Sequence, residues 1–164
     1  MHPQETMHPH YILKRLPYTK PFLFVDALLH IDENGATGTF KFLKTMDFYK
    51  GHFRNNPVTP GAILTECCAQ IGVVCLGIFL LGKDDNLRQG SNEIVPENLQ
   101  IAMSSSEMEF LLPVFPNEKV TVTSKKIYFR FQKLKCAVKM HNQEGKLVCR
   151  GEIAGMIQVG NKGY

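Results

Sequence analysis

The sequence contains no C-x-x-C pair, no block of like charge, no internal repeat and no uninterrupted apolar stretch of the roughly 20 residues that cross a bilayer. Its five cysteines are odd in number, with Cys67 and Cys68 adjacent, Cys75 in the same apolar run, and Cys136 and Cys149 apart in strand-like segments. Neither a disulfide framework nor a zinc site fits that spacing, so free buried thiols in a reducing, cytoplasmic compartment are expected. Nineteen Lys and Arg stand against fifteen Asp and Glu, and the resulting +4 is too small and too dispersed to imply a nucleic-acid surface. It leaves room for an acidic protein partner. No cationic segment followed by an apolar one opens the chain, and Phe22-Leu23-Phe24-Val25 is stopped at once by Asp26, so secretion is not expected. The long apolar run over residues 60–82 is interrupted by Thr65, Glu66 and Gln70, which argues against membrane insertion.

What is present is the composition of one folded domain: 164 residues, 44% of them hydrophobic, are enough for a real core. Residues 1–10, with His2, His8, His10 and two prolines, read as a flexible tail and residues 11–164 as a single domain. Asn34-Gly35 between β-rich segments at 22–31 and 36–43 predicts a hairpin. Thr59 as N-cap and Pro60 as first helical residue predict a helix start, and the run 62–81 is apolar on nearly every face, so the helix must be surrounded by other structure. After a polar connection over 82–98, strands are expected at 107–112, 119–131, 134–142 and 146–159, spaced as an antiparallel meander with one apolar face. The expected fold is α+β: one long central helix wrapped by a curved antiparallel sheet, the hotdog arrangement.

Two ionisable residues stand out from these surroundings. Glu66 sits in the second turn of an almost uncharged helix, where a buried carboxylate needs either a raised pKa or a partner, and Gln70, four residues on, is on the same face and can hydrogen-bond it. His52 stands in a loop just before that helix. Gly61, beside the helix N-terminus, has an uncommitted N–H with the helix dipole behind it and no side chain to keep a carbonyl away. A histidine, a carboxylic acid and an oxyanion donor suit removal of a proton α to a carbonyl with loss of a β-hydroxyl. Read without further context, His52 also fits a simple turn residue and Glu66 a surface ion pair. Cys67, Cys68 and Cys75 have no basic partner in sequence and read as packing residues.

The run Gly51-His52-Phe53-x-x-x-Pro57-Val58-x-Pro60-Gly61, followed by Glu66, Ala69 and Gln70, resembles the signature of the 3-hydroxyacyl-acyl-carrier-protein dehydratases of the FabZ and FabA types. Leu16-Pro17, Pro21 to Asp26, Phe110, Pro113-Val114 and Pro116 extend the resemblance over most of residues 16–157. It implies dehydration of 3-hydroxyacyl thioesters on acyl carrier protein to trans-2-enoyl thioesters, in fatty-acid or polyketide and polyene synthesis, without metal or cofactor. It implies His52 and Glu66 as catalytic residues, Gly61 as the donor to the thioester carbonyl and Gln70 as the residue that steadies the acid, also grouped with Gly61 at the substrate. It further implies a homodimer paired edge to edge, with each site taking His from one chain and the acid from the other, and dimers that can assemble into hexamers.

The sequence departs from that pattern at Arg54, Asn55-Asn56, Thr59, Leu111 and Leu112, and at Tyr18, Thr19, Lys20 and Ala27 of the opening segment. Arg54 and Lys50 flank the histidine loop and are candidates for docking the acidic carrier or its phosphopantetheine. Two other readings share these features. A hotdog thioesterase would use the helix acid to activate water, against which stands the pairing of His52 with Glu66. A non-catalytic acyl-binding subunit would have lost one of the two, and neither is lost.

Overall fold

The computed structural model describes residues 8–83 and 99–159, and most of the apolar residues in those segments enclose one helix. The chain runs through α1 (Pro9–Arg15), β1 (Ala27–Asp32), β2 (Gly35–Lys41), a 3₁₀ turn at Asp47–Lys50, α2 (Gly61–Gly82), β3 (Leu99–Phe110), β4 (Lys119–Arg130), β5 (Lys133–His141) and β6 (Leu147–Val159). The six strands form one antiparallel sheet in the order β1-β2-β4-β5-β6-β3. This is the hotdog arrangement expected from the sequence. α2 passes the length and hydropathy test for a membrane span, but it is the core of the fold: 78% of its most apolar window is buried, and every residue from Cys67 to Phe79 is shielded from solvent.

Several details differ from the sequence reading. The first strand begins at Ala27, because residues 22–26 lie extended over the helix, where Gln70 captures the Phe24 N–H. The turn is two residues, Glu33-Asn34, tightened by the Asp32 carboxylate, which accepts from the N–H groups of Asn34 at 2.8 Å and Gly35 at 3.1 Å. A hydrogen bond from His30, backed by these amides, holds the Asp32 carboxyl below its usual range. At the start of α2, Pro60 is itself the capping residue with extended dihedrals, and its carbonyl accepts from Ile63 and Leu64. Thr59 does not cap: its hydroxyl is 2.6 Å from that of Tyr49, and its N–H donates to the Val114 carbonyl. α1 docks against β1 and the end of α2 through the fully buried Ile12. Residues 1–7 and most of the expected 82–98 connection lie outside the described residues.

The largest difference is in topology. β4, β5 and β6 form the expected meander, but β3 does not pair with β4; it crosses the end of the sheet through residues 111–118 and pairs with β6 at the far edge. Val114, wholly buried, anchors that crossing under the helix start. β3 is therefore an edge strand of twelve residues, and most of its side chains face solvent. Inside α2, residues Gln70–Val74 form a wider π turn between the α-helical segments Gly61–Ala69 and Cys75–Gly82.

Candidate active site

The loop from Gly51 to Val58 folds back on itself around His52. The His52 N–H donates to Phe48, the Val58 N–H donates to the His52 carbonyl at 2.9 Å, and Nδ1 of the ring lies 2.8 Å from the Val58 carbonyl oxygen. A carbonyl only accepts, so Nδ1 carries the hydrogen and Nε2 is left with its lone pair. The ring stacks on Phe53 with centroids 3.9 Å apart, and the peptide joining the two residues is cis. Thr59 ties the end of the loop to Tyr49 and Val114, so a half-buried imidazole is presented in one orientation with its basic nitrogen free.

Glu66 projects from the second turn of α2 and is half-buried. It has found a partner: Gln70 Nε2 donates to Glu66 Oε1 at 3.0 Å. Gln70 has no exposed surface, and the backbone saturates the rest of its amide, with Oε1 accepting from Phe24 N–H at 2.8 Å and Nε2 also donating to the Phe22 carbonyl at 3.0 Å. The Phe24 donor forces the amide oxygen to its side, and so forces the nitrogen toward Glu66. Both N–H groups of Gln70 are spent and no part of the side chain is accessible.

The Gly61 N–H has no acceptor among the described residues, at the end of a helix whose dipole favours negative charge there. A side chain at this position would begin 3.3 Å from the Phe110 ring, so glycine lets that ring of the edge strand lie over the first turn. Arg54 is exposed on the histidine loop with no ion pair among the described residues, whereas Lys50 is bound to Asp47 at 2.9 Å on the open surface. No group of His, Cys, Asp and Glu among the described residues could hold a metal ion.

A cavity of about 60 Å³ runs from Glu66 along α2. Tyr18 is its other polar side chain, and the walls are Ala69, Val73 and Val74 of the helix with residues 101–103 of β3 and 153–155 and 157 of β6. His52 does not line it. Sequence reasoning noted Tyr18 only as a departure and missed its place beside Glu66, which depends on how residues 16–26 cross the helix. Burial pushes the Cys75 thiol up to about 12, and a hydrogen bond with Cys149 together with burial pushes Cys68 well up, so neither is a ready nucleophile.

A family model described as a FabA-like domain matches residues 16–156 of this chain. Among curated proteins, a 3-hydroxyacyl-[acyl-carrier-protein] dehydratase FabZ from Rhizobium etli is 33% identical over 150 residues, covering 89% of this chain and 86% of that protein. The FabZ of Sinorhizobium fredii is 31% identical with the same coverage. Among solved structures, a dehydratase heterocomplex from Xenorhabdus doucetiae superposes with a TM-score of 0.69 at 10% identity, covering 94% of this chain and 93% of that one. A thioesterase from Pseudomonas aeruginosa superposes at 0.62 with 9% identity, covering 94% and 96%. At such identities these superpositions establish the shared fold.

Proposed function

The chain belongs to the FabA-like family and dehydrates 3-hydroxyacyl thioesters of acyl carrier protein in fatty-acid biosynthesis, and on that premise we propose how its residues divide the work. His52 Nε2 takes the proton from C2. Glu66 passes a proton to the hydroxyl leaving C3, so the products are a trans-2-enoyl thioester and water. The Gly61 N–H donates a hydrogen bond to the thioester oxygen as negative charge builds on it, with the helix dipole behind it. Gln70 is a positioning residue that keeps the Glu66 carboxyl turned into the cavity.

The observation that carries this reading is the complementary setting of the two reactive groups. The Nδ1–H bond to Val58 leaves His52 a base at Nε2, and Glu66 faces a cavity whose other lining side chains, Tyr18 apart, are apolar. Incubation of the purified protein with 3-hydroxyacyl carrier substrates of several lengths should give the enoyl product and its absorbance; release of free acid instead would sink the reading in favour of hydrolysis.

Because Glu66 lines the cavity and His52 does not, the site is proposed to be completed by a second copy of the chain. β3 offers a full-length sheet edge for that pairing, and Met103, Phe110, Leu111 and Leu112 are large apolar side chains exposed on or just after it. Mixing inactive His52→Ala and Glu66→Gln subunits should then restore activity to about a quarter of wild type, the fraction of intact sites under random exchange. No recovery after demonstrated exchange would place a complete site in each chain. The buried free thiols fit a cytoplasmic enzyme.

For the carrier, Arg54 is the stronger of the two expected docking residues, since its charge is uncompensated while that of Lys50 is shared with Asp47. Arg54→Glu should raise KM for carrier-bound substrate about tenfold and flatten its salt dependence, leaving a short thioester mimic without carrier or phosphate little changed. Equal damage to both substrates would mean that Arg54 shapes the loop.

A further inference from the structure

We propose that Tyr18 is a further catalytic residue, its phenolic hydroxyl donating a hydrogen bond to the oxygen that leaves C3, so that Glu66 and Tyr18 hold that oxygen between them. The inference rests on the dehydratase reading of the site. Its first support is placement. Tyr18 and Glu66 are the two polar side chains of one cavity whose other lining residues are alanine, valine, isoleucine, methionine and glycine.

The second support is the state of the hydroxyl. Among the described residues the Tyr18 O–H has no hydrogen-bond partner; its ring packs against the core while the hydroxyl oxygen itself stays accessible at the cavity. The phenol is therefore open to an acceptor that enters the cavity. If an alkyl chain alone filled the cavity, both this donor and the Glu66 carboxyl would face hydrocarbon, which is costly for each. A 3-hydroxyacyl chain carries one polar group beyond its thioester, the hydroxyl on C3, and that group meets both needs at once.

The third support is a shared anchor. Gln70 Nε2 binds Glu66 and, with its other N–H, the Phe22 carbonyl, and the Tyr18 ring packs against Phe22 with centroids 6.3 Å apart. One buried amide therefore fixes the carboxyl and the segment carrying the phenol relative to each other. Burial, with the Glu66 charge adding to it, pushes the Tyr18 phenol up to about 12, so it stays a neutral donor throughout the working range. Proton transfer to the departing hydroxyl remains with Glu66; Tyr18 gives a hydrogen bond and keeps its proton, so the overall balance of the elimination is unchanged.

The test is Tyr18→Phe, which keeps the ring and its packing. With a 3-hydroxyacyl thioester kcat should fall on the order of 10- to 100-fold, the range for losing one neutral hydrogen bond to an oxygen that gains charge. With the matching 3-chloroacyl thioester, whose chloride leaves without a proton, the same variant should eliminate within about twofold of wild type, because only the oxygen needs the donor. Equal losses on both substrates would show that Tyr18 merely shapes the cavity, and an unchanged rate on the hydroxyacyl substrate would show that it does nothing in the step; either overturns the proposal. Chloride elimination by the variant also reports an intact site, so misfolding cannot imitate the expected result. If wild type eliminates chloride but does not dehydrate, it is the dehydratase reading that fails, and this proposal with it.

Discussion

Glu66→Gln should lower kcat for dehydration by on the order of 10²–10⁴ while leaving the melting temperature within a few degrees of wild type, and His52→Ala should do the same. The expectation follows from what each change leaves in place. Glutamine at 66 keeps an amide oxygen where Gln70 Nε2 donates, so the hydrogen bond at the centre of the site survives and only the transferable proton is lost. Alanine at 52 removes the Nδ1–H bond to Val58, but the backbone bond from the Val58 N–H to the residue 52 carbonyl does not depend on the side chain. Val58 is only partly buried, so water can reach the carbonyl left behind. Enoyl formation followed by absorbance, with calorimetry of the same samples, separates chemistry from folding. A variant that turns over at the wild-type rate would remove its residue from the mechanism.

Gly151→Ala should force β3 away from β6 and should take the dimer with it. Gly151 sits opposite Met108 in the β6–β3 pair, and a Cβ built on it would lie 2.0 Å from the Glu107 carbonyl oxygen and 2.9 Å from Met108 Cα. Those are backbone atoms of the edge strand and cannot swing aside as a side-chain tip can. β3 must separate from β6 at that point, at a cost of about 1–3 kcal/mol, which for a chain of this size is a fall in Tm of roughly 2–12 °C. Because β3 is the edge proposed to pair with a second copy, its displacement should also lower the proportion of dimer seen by light scattering, and activity with it. A Gly151→Ala protein with unaltered Tm and dimer content would show that the strand pair absorbs the methyl.

The course of α2 was legible because its signals are local: a proline and glycine at its start, and an apolar run too uniform for any surface helix. The strands β4, β5 and β6 were legible for the same reason, each bounded by turn residues a few positions apart. The partner of β3 was not. Alternation shows which face of a strand is buried, but nothing in it names the neighbour, and the choice of β6 over β4 depends on the 111–118 segment crossing the end of the sheet. Leu99 to Ser106 also lacks a clean apolar face, as befits an edge with solvent on most of its side chains, so the start of the strand went unseen.

At the site the division is similar. The sequence by itself determined the kind of chemistry available, because a loop histidine, a helix acid and a glycine at a helix start keep their identities and spacing wherever the chain takes them, and the run around His52 is specific enough to carry a family resemblance. Tertiary structure alone decided how those groups are used. Gln70 is set by the backbone of Phe22 and Phe24, nearly fifty residues earlier in the chain, and this distant contact turns its amide nitrogen toward Glu66. Tyr18 meets the Glu66 cavity through the same crossing, and His52, held on its own loop, does not line it. Such arrangements arise from contacts between segments remote in sequence, whose energies depend on the whole packed fold and leave no trace in the local pattern of residues.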